Sequence, residues 1–499
     1  PLLVCVSLGL DSPLPSLSLS ASLLVCTLSS PPSPCLRLSM RVSHRRRLAS
    51  SSYEGAVRHE LEQQPLAVYD HCADACEVAR KVAISQREDA AEAFYVMDVW
   101  RVEQRVRQWR QLLPHVLPFY AIKCNSDPVL LELLANFHHI NFHASSVADL
   151  EVALQFVPPS RVHFHSPLLT RKTLRLLCSL PPLHSLVVDS EEMLQRVSVM
   201  SPSQPLLLRV SLDPLSPRAD CAIGVPIDEA YDIIVNASQL GLKLVGISLQ
   251  LVGGEGGNEE ARLEENLGEV SRLLASLRSS NAALSLVDIG GGFHAEKCHR
   301  RRVQRLVSIV EGELKGGGGE WEGVEVIATP GSFFAAAAFS LCTSITGKAA
   351  IDAEAITRDK VNSGETGYIY QTSEGVYGAF GGQLLSKECA SCLPLFSVSA
   401  RLHASAVLGA ALDPMDVPVR RTRLPSLSVG DWLLWRGMGA YSLNEGDDAL
   451  PVYYFTARKH WQRLQRRCRR RSAQVNSDGS SDEEDDDLAE CFGRVFIHS

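Results

Sequence analysis

One lysine, Lys123, stands in an apolar run, FYAIKCN (119–125), that is typical of a buried β-strand. An uncompensated ammonium group is costly in a protein core, so this residue needs a reason to be there. One reason is chemical, because a lysine condensed with an aldehyde cofactor loses its charge. The other is structural, since a lysine can pair with a carboxylate or extend its head group to water. The residue by itself leaves both open.

A second pattern that suggests chemistry is the triple glycine Gly290–Gly292, which follows the apolar stretch VDI. Glycines let backbone N–H groups approach an anion closely, so this pattern is consistent with a phosphate-binding loop. A triple glycine alone is a weak signal. Its position at the end of a predicted strand strengthens the interpretation.

Composition excludes several other classes of function. The chain has 499 residues, 45% of them hydrophobic, which is enough for two domains with substantial cores. The net charge of −8 implies no overall attraction to nucleic acid or to anionic membranes. The 14 cysteines show one CxxC pair, Cys389 and Cys392, and no second pair to complete a zinc site. We expect reduced thiols, no metal and a cytoplasmic protein.

The elements that must position these residues alternate regularly through the middle of the chain. Eight apolar segments are predicted as strands: 118–124, 140–145, 161–165, 185–189, 205–211, 243–251, 284–290 and 324–330. Amphipathic helical stretches separate them, and this alternation favours parallel strands. Eight such units match an α/β fold of the (β/α)8 or TIM-like barrel type, with a doubly wound sheet as the alternative. In a barrel, functional residues gather at the C-terminal ends of the strands.

The flanks differ from the barrel in composition. Residues 334–457 are predicted to form a mainly β second domain, to which part of 51–115 contributes, so that the domain is built from both flanks of the barrel at 116–333. Residues 1–50 are Leu-, Ser- and Pro-rich and are predicted to be a disordered or mispredicted leader. Residues 458–499, basic and then acidic, are predicted to be a disordered tail. The basic run leaves a nuclear location possible.

Four motifs together resemble a known family. PFYAIKCNSDPVLLELLA, VDIGGGF, EGVYGAF and VGDWLLWRGMGAY, in this order, are similar to the eukaryotic ornithine decarboxylase family, with the group IV pyridoxal-phosphate decarboxylase fold. The resemblance covers about residues 60–457. It implies a barrel that binds pyridoxal phosphate and a β domain. The family contains active decarboxylases and non-catalytic relatives, the antizyme inhibitors, and this chain looks most like the latter.

The resemblance assigns roles to residues that match the family motifs. Lys123 corresponds to the Schiff-base lysine. The other cofactor-binding positions are Arg209, the loop residues Gly290, Gly291 and Gly292, and the phosphate-contacting Tyr441. Asp413 matches an aspartate that binds the substrate amine from the neighbouring subunit. We expect these cofactor positions to be vestigial.

The expectation that the cofactor site is vestigial rests on residues that differ from the family pattern. The last barrel strand ends in ATPGS where active members have AEPGR, so Thr329 and Ser332 replace a glutamate and an arginine. The glutamate keeps the cofactor ring cationic, and the arginine clamps its phosphate. His143 replaces an aspartate, Gln250 the histidine that stacks on the ring, and Gly253 a phosphate-binding serine.

The second domain departs in the same way. GAALDP stands where active members have GPTCDG, so Leu412 occupies the position of the cysteine that donates a proton. A tyrosine–aspartate pair of the substrate pocket aligns with Leu385 and Ser386, and Glu374 replaces an aspartate. We therefore expect no intact catalytic set and no tightly bound cofactor.

The expected function is that of a catalytically impaired homologue that binds antizyme and so promotes polyamine synthesis. The corresponding segment, 166–192, places Arg171, Lys172 and Arg175 on one face of a predicted helix, although an ordinary solvated face would look alike. Two alternatives remain: an active decarboxylase with a changed substrate, and a divergent homologue with an unknown partner. We expect a monomer or weak homodimer, with no nucleic-acid or membrane partner.

Overall fold

The computed structural model describes fifteen stretches of the chain, all within the unit Tyr53–Ser499. They are residues 66–86, 92–167, 169–201, 203–213, 222–250, 259–280, 282, 284–293, 300–316, 319–382, 391–396, 401–411, 413–443, 449–466 and 496–498.

The first described elements belong to the N-terminal flank. They are β1 (Ala67–Tyr69), α1 (Ala75–Ser85), β2 (Phe94–Asp98) and α2 (Val99–Leu112). Asp98 caps α2 by accepting a hydrogen bond from the Trp100 N–H. The helix buries Val99, Val102, Val106 and Trp109, whose spacing of three and four residues forms one apolar face. Both strands enter the sheet of the second domain, which confirms the predicted role of this flank.

Eight parallel strands close into the predicted barrel. The strands of this region are β3 (Val116–Ala121), β4 (Asn141–Ala144), β5 (Val162–Phe164), β6 (Ser185–Val188), β7 (Leu206–Ser211), β8 (Val225–Pro226), β9 (Leu244–Ser248), β10 (Leu286–Asp288) and β11 (Glu325–Ala328). The eight barrel strands pair with their neighbours in sequence order, with β9 next to β7, and the pairing of β11 with β3 closes the barrel. The two-residue β8 pairs with the end of β7 outside the barrel.

Helices follow the strands and cover the barrel. They are α3 (Pro128–Glu132, continued by Leu133–Phe137), α4 (Val147–Phe156), α5 (Arg171–Ser179), α6 (Glu191–Met200), α7 (Ile227–Gln239), α8 (Glu259–Ser279), α9 (Arg300–Gly316) and α10 (Ser332–Ala335). Several begin at a polar cap just after a strand, as where Ser146 accepts from the Asp149 N–H and Thr170 from the Thr173 N–H. Among the described helices, none is both long enough and apolar enough to cross a membrane.

The second domain is a mixed ten-stranded sheet. Its remaining elements are β12 (Phe339–Asp352), α11 (Ala353–Thr357), β13 (Thr366–Thr372), β14 (Cys392–Pro394), β15 (Leu402–Leu408), β16 (Val419–Pro425), β17 (Trp432–Arg436), β18 (Val452–Ala457), α12 (458–466) and β19 (Phe496–His498). The strand order is β16-β15-β13-β12-β2-β18-β1-β19, and β17 pairs with β12 and β14. The long β12 begins at Phe339, shortly after α10 ends at Ala335, so the chain passes from the barrel region straight into this sheet.

The predicted disordered tail begins too early. Residues 458–466 continue from β18 as the helix α12, and Trp461 and Leu464 are 7% and 2% exposed. Their three-residue spacing places both on the face that packs on the core, which explains why a basic segment forms a helix here. At the other end of the predicted tail, β19 pairs in parallel with β1.

Candidate functional site

Lys123 lies at the C-terminal mouth of the barrel, but its side chain is exposed. Strand β3 ends at Ala121, and Ile122–Cys124 forms a 3-10 turn. Ile122 and Cys124 are buried on either side of the lysine. The prediction of a buried lysine is therefore wrong, because the turn ends the alternation of the strand and directs the ammonium group to water. The location at a strand end agrees with the prediction.

A chain of buried polar side chains crosses the barrel beneath this mouth. Arg209 Nη1 donates to Ser248 Oγ at 3.2 Å, and Ser248 Oγ donates to Asp288 Oδ2 at 2.7 Å. The same carboxylate oxygen lies 3.4 Å from His163 Nε2, a distance for charge pairing more than for a good hydrogen bond. On the far side of its ring, His163 Nδ1 lies 2.7 Å from Ser185 Oγ. The chain joins β7, β9, β10, β5 and β6.

Asp288 is the centre of this network. It is 2% exposed, and burial by itself raises the pKa of a carboxyl group. The interactions with His163, the Ser248 hydroxyl and the Gly290 N–H outweigh that effect and hold the pKa of Asp288 below its usual range. We infer a carboxylate that stays ionised in the barrel and is linked to the buried guanidinium of Arg209 through the Ser248 hydroxyl.

Two further histidines border the network and stay neutral. Burial, together with the nearby His163, lowers the pKa of His143 well below its usual value. Burial and the charge of Arg209 lower the pKa of His165 to about 3. The rings of His143 and His163 are 5.1 Å apart, and His143 Nδ1 has no hydrogen-bond partner within the described ranges. The aspartate position of active family members is thus occupied here by an uncharged imidazole.

The predicted phosphate loop has the expected backbone, but its N–H groups already face acceptors. Gly290 and Gly292 have φ angles of 79° and 91°, a region that favours glycine. The Gly290 N–H donates to Asp288 Oδ1 at 2.9 Å, and the Gly291 N–H faces Gln250 Oε1 at 3.4 Å. A Cβ on Gly290 would lie 2.5 Å from that amide oxygen. Gln250 therefore lies across the loop.

The last barrel strand supplies no charge to the mouth at the positions that differ from active family members. The Thr329 N–H donates to the Gly290 carbonyl at 2.9 Å, which fixes the end of β11 against the glycine loop. Ser332 is the first residue of α10. Neither side chain can supply the carboxylate or the guanidinium that the resemblance implies at these positions.

The second domain brings Tyr441 to the lysine turn. The Tyr441 N–H donates to the Cys124 carbonyl at 2.8 Å. Tyr441 therefore contacts the residue that follows Lys123 in the chain. Tyr441 has a φ of 57°, an uncommon left-handed conformation for a residue other than glycine, and its side chain is 42% exposed. The structure thus brings together two residues 318 positions apart in sequence.

Asp413 remains on the surface of the second domain. It is exposed, accepts a hydrogen bond from the Met415 N–H at 2.7 Å and interacts with the Tyr377 hydroxyl. Leu412, at the expected cysteine position, lies outside the described residues, as do Gly253, Leu385 and Ser386.

Asp416 connects these loops through hydrogen bonds. The sequence analysis did not identify it. Its buried carboxylate accepts from the Val376 N–H at 2.6 Å and from the Ala411 N–H at 2.8 Å. A Cβ on Gly409 would lie 2.1 Å from that carboxylate. Asp416 therefore joins the loop that carries Tyr377 to the loop that carries Asp413. A signal existed in the sequence, since an aspartate three residues after Asp413 in a turn is well placed to accept backbone N–H groups.

His163 and His165 were also missed. They stand two residues apart in RVHFH, and a strand places such residues on the same face. Three histidines from adjacent strands therefore meet near the mouth. No group of three or more His, Cys, Asp or Glu side chains in the described part of the chain is arranged to hold a metal ion.

The predicted antizyme-facing residues lie on α5. Arg171, Lys172 and Arg175 are all exposed, while Leu174 and Leu177 are buried against the barrel. The helix is amphipathic, as predicted, and it presents a basic face to solvent.

A pyridine cofactor with a phosphate group, which the resemblance implies, fits these residues poorly. The N–H groups of Gly290 and Gly291 face Asp288 and Gln250. Thr329 cannot carry the charge that pairs with a protonated ring nitrogen. An accessible Lys123 is the feature that does fit.

Comparison with known proteins agrees with the fold and the motifs. Residues 99–336 match the family model of the pyridoxal-dependent decarboxylase, pyridoxal binding domain. An ornithine decarboxylase of Panagrellus redivivus is 30% identical over 406 residues, which span 78% of this chain and 92% of that protein. Antizyme inhibitor 2 of Xenopus laevis is 27% identical over 394 residues, 77% of this chain and 85% of that protein.

A solved structure matches over a similar length. The arginine decarboxylase of Paramecium bursaria Chlorella virus superposes with a TM-score of 0.66 at 26% identity, over 76% of this chain and all of that chain. The closed barrel, the order of the motifs and these relatives lead to one conclusion: the chain belongs to the ornithine decarboxylase family.

Proposed function

We propose that this protein is a catalytically impaired ornithine decarboxylase homologue that binds antizyme and thereby acts as a positive regulator of polyamine biosynthesis. The observation that carries the proposal is the position of Gln250, whose amide oxygen lies across the glycine loop within 3.4 Å of the Gly291 nitrogen. The phosphate of a cofactor would have to displace this side chain. It would then find Ser332 where active family members have an arginine, and the cofactor ring would find Thr329 where they have a carboxylate.

Electrostatics at the mouth support the same proposal. Neutral His143 and His165 stand near Lys123, and the carboxylate of Asp288 already accepts from Ser248, which links it to Arg209. The site therefore lacks, among the described residues, a second carboxylate to hold a cationic ring. Loss of a proton donor alone lowers the rate by roughly 10²–10⁴-fold, and here it is combined with the loss of the electron-sink partner.

Antizyme binding is the second half of the proposal. The relative Xenopus laevis antizyme inhibitor 2 is named for this interaction. Exposed Arg171, Lys172 and Arg175 provide a cationic face on α5 that suits an anionic surface of a partner. We further propose a monomer or weak homodimer in the cytoplasm, with a nuclear location possible.

The first experiment is a pyridoxal-phosphate titration followed by visible absorption, before and after borohydride. We expect no stable aldimine band, no reduced adduct on Lys123 and no release of CO2 from ornithine. The second experiment is capture by immobilised antizyme. Arg171→Glu with Arg175→Glu should weaken capture at least tenfold, while the charge-matched pair Arg272→Glu with Arg278→Glu on α8 should not. Equal loss in both pairs would reduce the effect to net charge.

A second candidate function is an active decarboxylase with a changed substrate. Two observations favour it: Lys123 is exposed at the barrel mouth, and the second domain holds Tyr441 beside it through the Cys124 carbonyl. In that case a band near the usual internal-aldimine position should form and should disappear in Lys123→Ala. A screen of basic amino acids for CO2 release would then identify the substrate. Absence of both cofactor and antizyme binding would leave a divergent homologue with another partner.

A further inference from the structure

The helices α2 and α12 together form a cationic surface from residues other than those of the predicted antizyme face. His460 stacks on Trp100 with ring centroids 4.0 Å apart and planes 7° from parallel. Arg107 and Arg463 lie over the same indole at 5.2 Å and 6.0 Å. One aromatic ring therefore joins a cation from each helix, and the two helices present their charges together.

We define the basic face as Arg101, Arg107, Lys459, Arg463 and Arg466, all of which are exposed. Arg101 and Arg107 pair with Asp98 and Glu103 of their own helix region. Lys459, Arg463 and Arg466 form no ion pair with any carboxylate in the described ranges.

The charge of this face is strong enough to act on a neighbouring group. Burial and the positive charges of Lys459, Arg463 and Arg107 lower the pKa of His460. In sequence, Arg467 and Arg469–Arg471 follow directly and extend the same charge. A surface of one sign attracts a partner of the opposite sign, even though the whole chain carries a net charge of −8.

A segment of the chain itself has the complementary charge. Residues 482–487 read DEEDDD, six consecutive carboxylates, and they lie outside the described residues. Asp482 follows residue 466, the last described residue of α12, by 16 positions, and a fully extended chain of that length would span up to about 55 Å. The segment is therefore long enough to reach any part of the basic face.

The far end of this segment also returns to the same region. Residues 496–498 form β19, which pairs in parallel with Ala67–Tyr69 of β1. Asp70, the next residue after β1, contacts Arg458 at the start of α12 at 2.5 Å. The acidic run is thus tethered at both ends close to the basic face, and short tethers of this kind give effective concentrations in the millimolar range (~1 mM).

We propose that the acidic segment 482–487 docks on the basic face and covers it, an intramolecular contact that keeps this surface from binding other polyanions. The opposite charges provide attraction, and the double tether provides proximity. Phosphorylation of Ser480 or Ser481, which precede the acids, would add negative charge and strengthen the contact. The inference is independent of the proposed function, since it involves neither the barrel mouth nor α5.

The test uses zero-length carbodiimide coupling of the full chain, followed by mass spectrometry. Lys459 is an exposed amine on the basic face, and we expect intrachain amide links from it to residues 482–487. Their yield should not depend on protein concentration. It should fall at least fivefold between 0.1 M and 1 M salt, because the Debye length shrinks from about 10 Å to about 3 Å. Lys172 on α5 is the internal control and should form no such link.

Charge-reversal variants test the surface. Arg463→Glu with Arg466→Glu should reduce the Lys459 links at least fivefold, whereas Arg272→Glu with Arg278→Glu on α8, an equal change of net charge, should leave them unchanged. Circular dichroism of both pairs identifies any variant that fails to fold. Links that increase with protein concentration would mean contacts between copies and would overturn the proposal.

A third variant remains informative whatever the fate of the arginine variants, because it leaves every described residue intact. Neutralising all six acids of 482–487 to their amides should uncover the basic face, so the variant should elute from heparin at higher salt than the parent chain. The matched control neutralises six acids of the barrel helices: Glu191, Glu192, Asp228, Glu229, Glu264 and Glu265. Equal elution of these two variants would show that net charge alone matters and would overturn the proposal. Retention of the parent chain as strong as that of the tail variant, or equally tight binding of RNA by both, would do the same.

Discussion

Replacing Asp288 with asparagine is expected to lower the free energy of unfolding strongly. The substitution removes the negative charge of the carboxylate at the centre of the buried network. The asparagine keeps the shape of the side chain but turns one oxygen into an amide donor. That donor would face the Ser248 hydroxyl or the Gly290 N–H, which now donate to the carboxylate at 2.7 Å and 2.9 Å. The path from Arg209 through Ser248 would then no longer end on an ionised carboxylate.

The magnitude follows from burial. Asp288 is 2% exposed, and removing the charge of a buried carboxylate that accepts several hydrogen bonds costs about 3–5 kcal/mol. A second carboxylate–histidine pair of the barrel, Glu325 and His184, serves as the matched control. Their atoms are 2.9 Å apart, but the side chains are 44% and 20% exposed. Exposed pairs contribute about 0–1 kcal/mol, so Glu325→Gln should cost less than about 1 kcal/mol.

The assay is urea denaturation followed by tryptophan fluorescence at pH 7.5, with the shift in midpoint compared between the two variants. The folded-state pKa of Asp288 is lowered, so the stability it contributes is present above its unfolded pKa, about 4, and is lost as the pH falls through the folded value. The cost of Asp288→Asn should therefore be constant from pH 6 to 8. A cost equal to that of Glu325→Gln would refute the reasoning. A double-mutant cycle with His163→Gln isolates the pair, because independent sites add within about 0.5 kcal/mol.

Three further outcomes are expected. The pKa of His165 in the folded protein is about 3, below its unfolded value, so the stability it contributes is present above about pH 6.5 and is lost on acidification. His165→Gln should therefore reduce the slope of the free energy of unfolding against pH, between pH 6 and 4, by up to about 1.4 kcal/mol per pH unit. An unchanged slope would contradict this. Asp416→Ala should cost about 2–5 kcal/mol and speed hydrogen exchange at the Val376 and Ala411 N–H groups, which lose a buried acceptor. Burial raises the pKa of the Cys124 thiol to about 12, so a thiol reagent should label exposed Cys178 and leave Cys124 unlabelled in the folded protein; rapid labelling of both would argue against the packing.

The sequence by itself determined the architecture. Eight short apolar segments alternating with amphipathic ones leave few ways to bury every apolar face, and a closed parallel barrel is one of them. The predicted strands match those of the structure within a few residues, and the motifs place the chain in its family. The identity of Thr329, Ser332, His143 and Gln250 was also readable without coordinates, since a missing carboxylate or guanidinium is a property of the residue type.

The tertiary structure decided where these side chains meet. Lys123 is exposed because Ile122–Cys124 turn after the strand, a local geometry that strand alternation does not reveal. Gln250 lies across the glycine loop only because β9 and β10 are neighbours in the closed barrel. The helix at 458–466 forms because the core offers a surface for Trp461 and Leu464, which outweighs the repulsion between its basic residues. Such contacts join residues that are far apart in sequence. Their energies depend on how deeply each residue is buried, and the sequence alone does not determine that burial.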